Sequence, residues 1–280
     1  MSPEGPWQLR TRSLDLADGI IVGVLNVTPD SFSDGGLNLE RSDAVTTGRL
    51  MVAQGASVID VGGESTRPGA SPVPIDEELR RVIPVIEDLA AEGVVVSVDT
   101  SKPEVAAAAV AAGAEIVNDV TAAISSDMVD VIAWSGAGCV LMHMLGTPRT
   151  MQVDPIYSDV VGEVRGFLAG RAQALIDRGV PPNAIAIDPG IGFGKTVAHN
   201  LQLIDGIGEL AALGFPVVLG ASRKTFLGKI AGIDDPLERD GVTAVTTALG
   251  FERGARIFRV HDVESSRAAL RVTAAIVNSE

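Results

Sequence analysis

Eight short runs of β-branched and aliphatic residues recur along this sequence, and no other feature limits its fold so strongly. They are IIVGVLN (20–26), SVIDVG (57–62), VVVSVD (94–99), EIVND (115–119), GCVLMH (138–143), AIAID (184–188), PVVLGAS (216–222) and RIFRVH (256–261). Each is almost continuously apolar, as strands covered on both faces are; strands with a wet side alternate. Between them lie helical patterns such as DAVTTGRLMVAQGA, KPEVAAAAVAAGA and VRGFLAGRAQALIDRG, several of which stop at glycine. Pro103 suits a first helical turn, and Asp76 with Leu79, Val82, Ile83 and Ile86 opens an amphipathic stretch. Eight strands alternating with helices over about 250 residues fit a closed (β/α)8 barrel. An open doubly wound sheet calls for a glycine-rich fingerprint after its first strand, where this chain has Asn-Val-Thr-Pro. The expected fold is therefore α/β: one (β/α)8 barrel over residues 20–280, preceded by an N-terminal extension, 1–19.

Composition narrows the partners. A net charge of -14 over 280 residues disfavours nucleic acid and anionic membrane surfaces alike. No apolar run has transmembrane length, and residues 1–18 are charged where a signal peptide is apolar. The single cysteine, Cys139, lies in the apolar run CVLMHM and reads as a small buried hydrophobe, so no disulfide framework is expected. A cytoplasmic protein with small-molecule ligands is the expectation. An anionic ligand needs a local basic pocket working against the overall field.

Most of the predicted strands end in a polar side chain: Asn26, Asp99, Asn118 and Asp119, His143, Asp188, Ser222 to Lys224, and Arg259 with His261; Gly62 to Arg67 follows the second. In a barrel all those ends meet on the face where barrel enzymes keep their sites. Asp119 taken alone reads as a turn or helix cap. Asp99, Asn118 and Asp188 lack the spacing of zinc ligands. Their oxygens suit a neutral heterocycle with adjacent N–H donors, such as a guanidine-like edge, and Lys224 is placed to donate to that ring's carbonyl. A second, cationic set comprises Arg67, Lys224, Arg259 and His261, and suits a phosphate, helped by the backbone N–H groups of Gly62 and Gly63.

The segment PGIGFGKT (189–196) looks like a phosphate-binding loop, but Pro189 stands where its first glycine belongs, and GIGFGK breaks the dinucleotide fingerprint at Lys195. Phe193 in that loop reads as a ring-stacking wall. His143 reads as a core histidine at the rim, His199 as a loop or first-turn residue, Trp7 and Trp134 as packing residues, and 233–241 as a solvated loop.

The strings GVLNVTPDSFSDGG, DVGGESTRPGA, VSVDTSKPEVA, IVND, IDPGIGFGKT, GASRKTFLGK and FRVHDV occur in this order from about Ile20 to Val272. In them the chain resembles the bacterial dihydropteroate synthase family. That resemblance implies condensation of 6-hydroxymethyl-7,8-dihydropterin diphosphate with 4-aminobenzoate to 7,8-dihydropteroate and diphosphate, in folate biosynthesis. By motif position it implies a pterin pocket of Asp99, Asn118, Asp188 and Lys224. It implies Mg²⁺ on Asn26, and diphosphate contacts from Asn26, Thr66, Arg67, Arg259 and His261. Aminobenzoate falls to Thr66, Arg67, Pro68, Phe193 and Thr225, a threonine where relatives often carry serine. Phe32, Asp34 and Lys224 are the implied catalytic residues. Diphosphate leaves first in this family's chemistry, and Phe32 and Asp34, on a loop hinged at Gly35-Gly36, would shield and stabilise the pterin methylene cation. Sulfonamide sensitivity and a homodimer are implied as well. A pterin-binding methyltransferase barrel would share the Asp/Asn/Asp pocket without needing TPDSFSDGG, STRPGA and SRK together, and a non-catalytic paralogue would be expected to show a lesion in them.

Overall fold

A computed structural model of the chain describes residues 5–27, 36–65 and 69–279, with side chains from residue 41 onward in the first helix. A short antiparallel hairpin, β1 (Trp7–Gln8) and β2 (Ser13–Leu14), comes first. The barrel strands follow: β3 (Ile20–Asn26), β4 (Val58–Gly62), β5 (Val96–Asp99), β6 (Ile116–Asp119), β7 (Gly138–Met142), β8 (Ile185–Asp188), β9 (Val218–Leu219) and β10 (Ile257–Val260). They pair in parallel in the order β8-β7-β6-β5-β4-β3-β10-β9, and a parallel bridge between Ile187 and Val217 closes the ring. The helices between and after them are α1 (Gly36–Gln54), α2 (Ile75–Ala91), α3 (Pro103–Ala111), α4 (Ser126–Ser135), α5 (Val160–Ile176), α6 (Val197–Asp205), α7 (Ile207–Ala211), α8 (Thr225–Ala231), α9 (Asp240–Glu252) and α10 (Val263–Val277). The (β/α)8 expectation holds.

Local chemistry sets the helix ends. Pro103 opens α3, where its missing N–H costs nothing. Asp159 accepts from Gly162 N at the start of α5, and Asp262 from Ser265 N at the start of α10. α4 ends at Gly136 in the left-handed region. The α2 stripe of Val82, Val85, Ile86 and Leu89 is fully buried against the barrel.

Strand parity divides the core in two. Side chains such as Ile21, Ile59, Val61, Val98, Val117, Leu141, Ile187 and Phe258 point outward and pack under the helices. Their neighbours of the other parity, including Ile20, Val22, Val58, Ile116, Val140, Ala186, Val218 and Ile257, form a second cluster inside the ring with Trp7, Leu9 and Leu16. Trp7, Leu9 and Leu16, from an N-terminal segment that carried no signal in the sequence, thus supply the floor of the barrel. Trp7 is 1 % exposed and its Nε1 donates to Ala184 O at 3.0 Å. A Cβ at Gly138 would lie 2.9 Å from Leu9 Cδ2, so glycine there admits the hairpin.

Three expectations need correction. Trp134 is not a packing residue: it stands on the outer face of α4, 66 % exposed. β9 spans only Val218–Leu219, because Pro216 lacks an N–H and the chain turns after Gly220 toward a left-handed Arg223. Residues 233–241 are not wholly solvated. A 3₁₀ turn over Pro236–Arg239 buries Arg239, which donates to the carbonyls of Ile233, Asp234 and Arg223. Among the described residues no helix is long and apolar enough to cross a membrane.

Candidate active site

The inward parity that is apolar at the floor turns polar at the carboxyl ends of the strands. Strand register places Asn26 beside Gly62, Gly62 beside Asp99 and Asp99 beside Asn118, one level around the ring. A Cβ at Gly62 would lie 3.5 Å from Asp99 Cβ and 3.8 Å from Asn26 Oδ1, so glycine keeps a gap open between those two side chains. One layer below sits Asp60, 1 % exposed. Its Oδ2 accepts from Arg259 Nε at 2.6 Å and from Asn118 Nδ2 at 3.0 Å. Arg259 Nη2 reaches Asp99 Oδ2, also at 2.6 Å.

The separation into an acceptor set and a cationic set therefore does not survive. Arg259 is drawn into the acceptors, and Asp60 and Asp99 share its guanidinium. Burial opposes the Arg259 charge, but Asp60 and Asp99 outweigh it and hold the group firmly protonated. Burial pushes the Asp99 carboxyl up, against the pull of Arg259. Asp188 is likewise pushed up by burial, opposed by the Gly190 N–H at 2.6 Å and then by Lys224. Buried carboxyls of this kind gain from a ligand that brings hydrogen-bond donors to them.

The SRK segment forms the opposite wall. Arg223 has φ +57°, and it is held there by a bidentate pair with Asp240 at 2.7 and 2.7 Å, by Arg223 N on Thr243 Oγ1 at 3.1 Å, and by Arg239 on its carbonyl. This strained residue turns the chain so that Ser222 and Lys224 flank it on the rim. Lys224 Nζ lies 4.1 Å from the Phe193 ring centroid, a cation–π contact. Thr225 is exposed at the first turn of α8. Ser222 Oγ accepts from His261 N at 3.1 Å and meets His261 Nδ1 at 2.9 Å.

Phe32, Asp34 and Gly35 of the first loop, and Thr66, Arg67 and Pro68 of the second, lie outside the described residues; Gly36, the other expected hinge residue, opens α1. The stem of the second loop is tied down by Lys102, which pairs with both Glu64 and the buried Glu78. Asp119 serves as a turn residue, accepting from Thr121 N and Ala123 N. His199 caps α6 with Thr196. His143 is a buried rim histidine, as expected, but its Nδ1 meets the ammonium of Lys195 at 3.0 Å. Two rim residues escaped the sequence reading. Asp60 was visible only as an acid inside an apolar run, and Lys195 was set aside with the false phosphate loop. Among the described residues no group of three or more His, Cys, Asp or Glu forms a metal cage.

An oxygen-lined rim with a half-buried guanidinium and a lysine stacked on an aromatic ring, at the carboxyl end of a (β/α)8 barrel, is the arrangement of an enzyme site suited to a flat heterocycle rich in N–H donors. Sequence comparison agrees: residues 22–261 match the family of pterin binding enzymes. The dihydropteroate synthase of Mycobacterium leprae is 47% identical over 270 residues, covering 94% of this chain and 95% of that protein. The solved dihydropteroate synthase of Xanthomonas albilineans with 4-aminobenzoic acid superposes with a TM-score of 0.93 at 44% identity, over 100% of both chains. That of Yersinia pestis, in complex with a sulfonamide drug, has a TM-score of 0.93 at 38% identity, over 98% of this chain and 100% of that one. The chain belongs to the dihydropteroate synthase family. It is a transferase of folate biosynthesis, making 7,8-dihydropteroate from the pterin diphosphate and 4-aminobenzoate.

Proposed function

We propose that the rim pocket runs this condensation by a dissociative route, with the pterin held deep in the ring and aminobenzoate arriving above it. The observation that carries the reading is the ring of inward acceptors, Asp99, Asn118 and Asp188, all buried, with Arg259 among them and Lys224 across from them. A pterin's aminopyrimidinone edge offers parallel N–H donors to carboxylates, and Lys224 donates to its carbonyl. Lys224 also acts electrostatically, facing the bond that breaks. His261 and Arg259, with Thr66 and Arg67, receive the diphosphate.

Asn26 brings a neutral amide oxygen to this rim, which suits Mg²⁺, a cation that keeps several waters and is commonly held through substrate phosphates. When bound, the ion would supply charge neutralisation to the leaving diphosphate. Departure of diphosphate leaves a resonance-stabilised pterin methylene cation, which the aniline nitrogen captures. Phe32 would exclude water and Asp34 would stabilise the positive charge. Thr66, Arg67, Pro68, Phe193 and Thr225 make up the aminobenzoate pocket, and a sulfonamide would occupy it by mimicry.

The reaction is tested by incubating the chain with dihydropterin diphosphate, 4-aminobenzoate and Mg²⁺ and weighing the product. Diphosphate release must depend on the pterin substrate and yield dihydropteroate. In single turnovers, anilines of different basicity should react at one rate when diphosphate leaves first; a rate climbing steeply with basicity overturns that order. Exposed Val245 and Leu249 on α9, beside exposed Val272 and Ile276 on the neighbouring α10, support a homodimer, which sedimentation would reveal as twice the chain mass. A cytoplasmic location accords with the lone buried cysteine and is checked by fractionation.

A further inference from the structure

Lys195 has no role in the chemistry above, yet it is the most deeply buried lysine at the rim, 3 % exposed. It closes the loop after β8, whose Gly190, Gly192 and Gly194 all lie in the left-handed region, at φ +67, +82 and +67°. A loop so rich in glycine has few side chains of its own to fix it, and its backbone is held mostly by groups around it. Gln152 Nε2 donates to Gly192 O at 2.7 Å and Tyr157 OH to Gly194 O at 2.9 Å. Phe193 O is held by the Lys195 ammonium at 2.9 Å, and the same ammonium meets His143 Nδ1 at 3.0 Å and His143 O at 3.4 Å. One charge thus ties the loop after β8 to the end of β7. The residue it holds, Phe193, carries the ring that lies under Lys224.

We propose that Lys195 is a positioning residue for 4-aminobenzoate, its ammonium pinning the Phe193 backbone so that the Phe193 ring stands as a fixed wall of the pocket. The inference rests on the reading of Phe193 as part of that pocket.

The hydrogen-bond count explains why the proton matters. An ammonium has three N–H groups for three acceptors, His143 O, His143 Nδ1 and Phe193 O; a neutral amine has two. It either leaves one buried acceptor unpaired or forces the His143 ring to change tautomer and donate to it, and in both cases the charge-assisted hold on Phe193 O is lost. His143 accepts at Nδ1 because burial, and then the Lys195 charge, hold it at about 3 and so neutral. Burial pushes Lys195 itself down to about 7, with Asp188 opposing and Lys224 adding to the fall. The other ionisable group packed there, Tyr157, is pushed up by burial to about 12 and stays neutral; the His199 ring stacks edge-on against it. The charged Lys195 anchor on Phe193 is therefore in place below neutrality and weakened as pH rises through about 7, while Gln152 and Tyr157 keep their hold on the loop.

The test is steady-state kinetics of the full-length chain between about pH 6 and pH 8.5, a window that brackets neutrality while the aminobenzoate carboxylate stays ionised. For the natural chain, kcat/KM for aminobenzoate should fall about tenfold across it, with the pterin-diphosphate Kd moving less than about threefold. Lys195→Met should show the low value at every pH, with KM for aminobenzoate raised about tenfold, and the pterin Kd from calorimetry reporting an intact fold. Phe193→Ala separates the two readings. If it leaves KM for aminobenzoate unchanged, the pocket assignment and the inference fall together. If it raises KM while Lys195→Met changes neither KM nor the pH profile, the inference alone is overturned. Should Lys195→Met not fold, a flat natural-chain profile across neutrality overturns it equally.

Discussion

A step of two positions leads from Val58 to Asp60 on the inner face of β4, and that step divides the barrel interior into two regions. The same step recurs from Ile116 to Asn118 on β6, from Ala186 to Asp188 on β8 and from Ile257 to Arg259 on β10. Below it, strand side chains interlock with Trp7, Leu9 and Leu16 in a dry plug. Above it, carboxyls and an amide are buried at the cost of their hydration, with the half-buried Arg259 guanidinium among them. A cavity of about 20 Å³, lined by Trp7 and Val58 on one side and Asp60 and Arg259 on the other, marks the boundary. The lower layer does the work of folding, and the upper layer draws on that stability to hold polar groups away from water, as the proposed pairing with substrate requires. Backbone and strand parity are shared, so the difference lies in side-chain chemistry alone.

The largest expected effect breaks the lower layer. Trp7→Ala removes a fully buried ring and its bond to Ala184 O, and should cost about 3–5 kcal/mol in urea unfolding. Activity per folded molecule should change by less than about twofold. A loss of turnover matching the loss of stability would show that the two layers are not separable.

Asp188→Asn makes the opposite cut. The amide oxygen can still accept from Gly190 N, so the loop keeps its anchor. The charge proposed to pair with the pterin edge is gone, however, and kcat/KM should fall on the order of 10³-fold. Stability should hold or rise. The folded-state pKa of Asp188 lies above its ordinary value, so its contribution is fully present below the ordinary carboxylate pKa and is lost as pH rises through the folded value. The variant should lack that share of the loss when chain and variant are compared by thermal melts across acid to neutral pH. A variant that is less stable at neutral pH than the natural chain contradicts the division.

These layers were unequally legible in the sequence. Asp99, Asn118 and Asp188 announce themselves because each ends an apolar run, and a (β/α)8 count brings run ends together. Asp60 does not, since a lone acid in VIDVG says nothing about inward or outward parity until register is known. Arg259 was legible as a site residue but was given the wrong neighbours, because Asp60, 199 positions away, and Asp99 meet it only through the closed ring. The floor was invisible for a related reason: a hairpin of two-residue strands leaves no periodicity to read. Trp134 misled because composition favours burying indole, while helical phase put it outside.

Asp60→Asn tests the boundary itself. Arg259 and Asn118 both donate to Oδ2, so an amide oxygen can still accept from each, but the charge that pairs with the guanidinium is lost. Charge-assisted bonds are worth about 1.5–3 kcal/mol, so the pterin-diphosphate Kd should rise roughly 10- to 100-fold, read by calorimetry. Since Asp60 acts through Arg259 and Asn118, the KM for aminobenzoate should hardly move; if it rises in step, Asp60 supports the whole rim and not the pterin level alone.

The smallest effect concerns a tautomer. Ser222 Oγ accepts from His261 N, so its own hydrogen is free to go to His261 Nδ1, and in the neutral ring the remaining hydrogen then sits on Nε2. A histidine fixed in that form presents a donor, which suits an anion. Ser222→Ala removes the constraint without removing the ring, and one hydrogen bond of about 1 kcal/mol corresponds to roughly a fivefold fall in kcat/KM for the pterin diphosphate. The aminobenzoate KM should stay put, and inorganic diphosphate should inhibit the variant more weakly by the same factor. If diphosphate inhibition is unchanged, His261 does not meet the leaving group through Nε2, and the upper layer ends at Arg259.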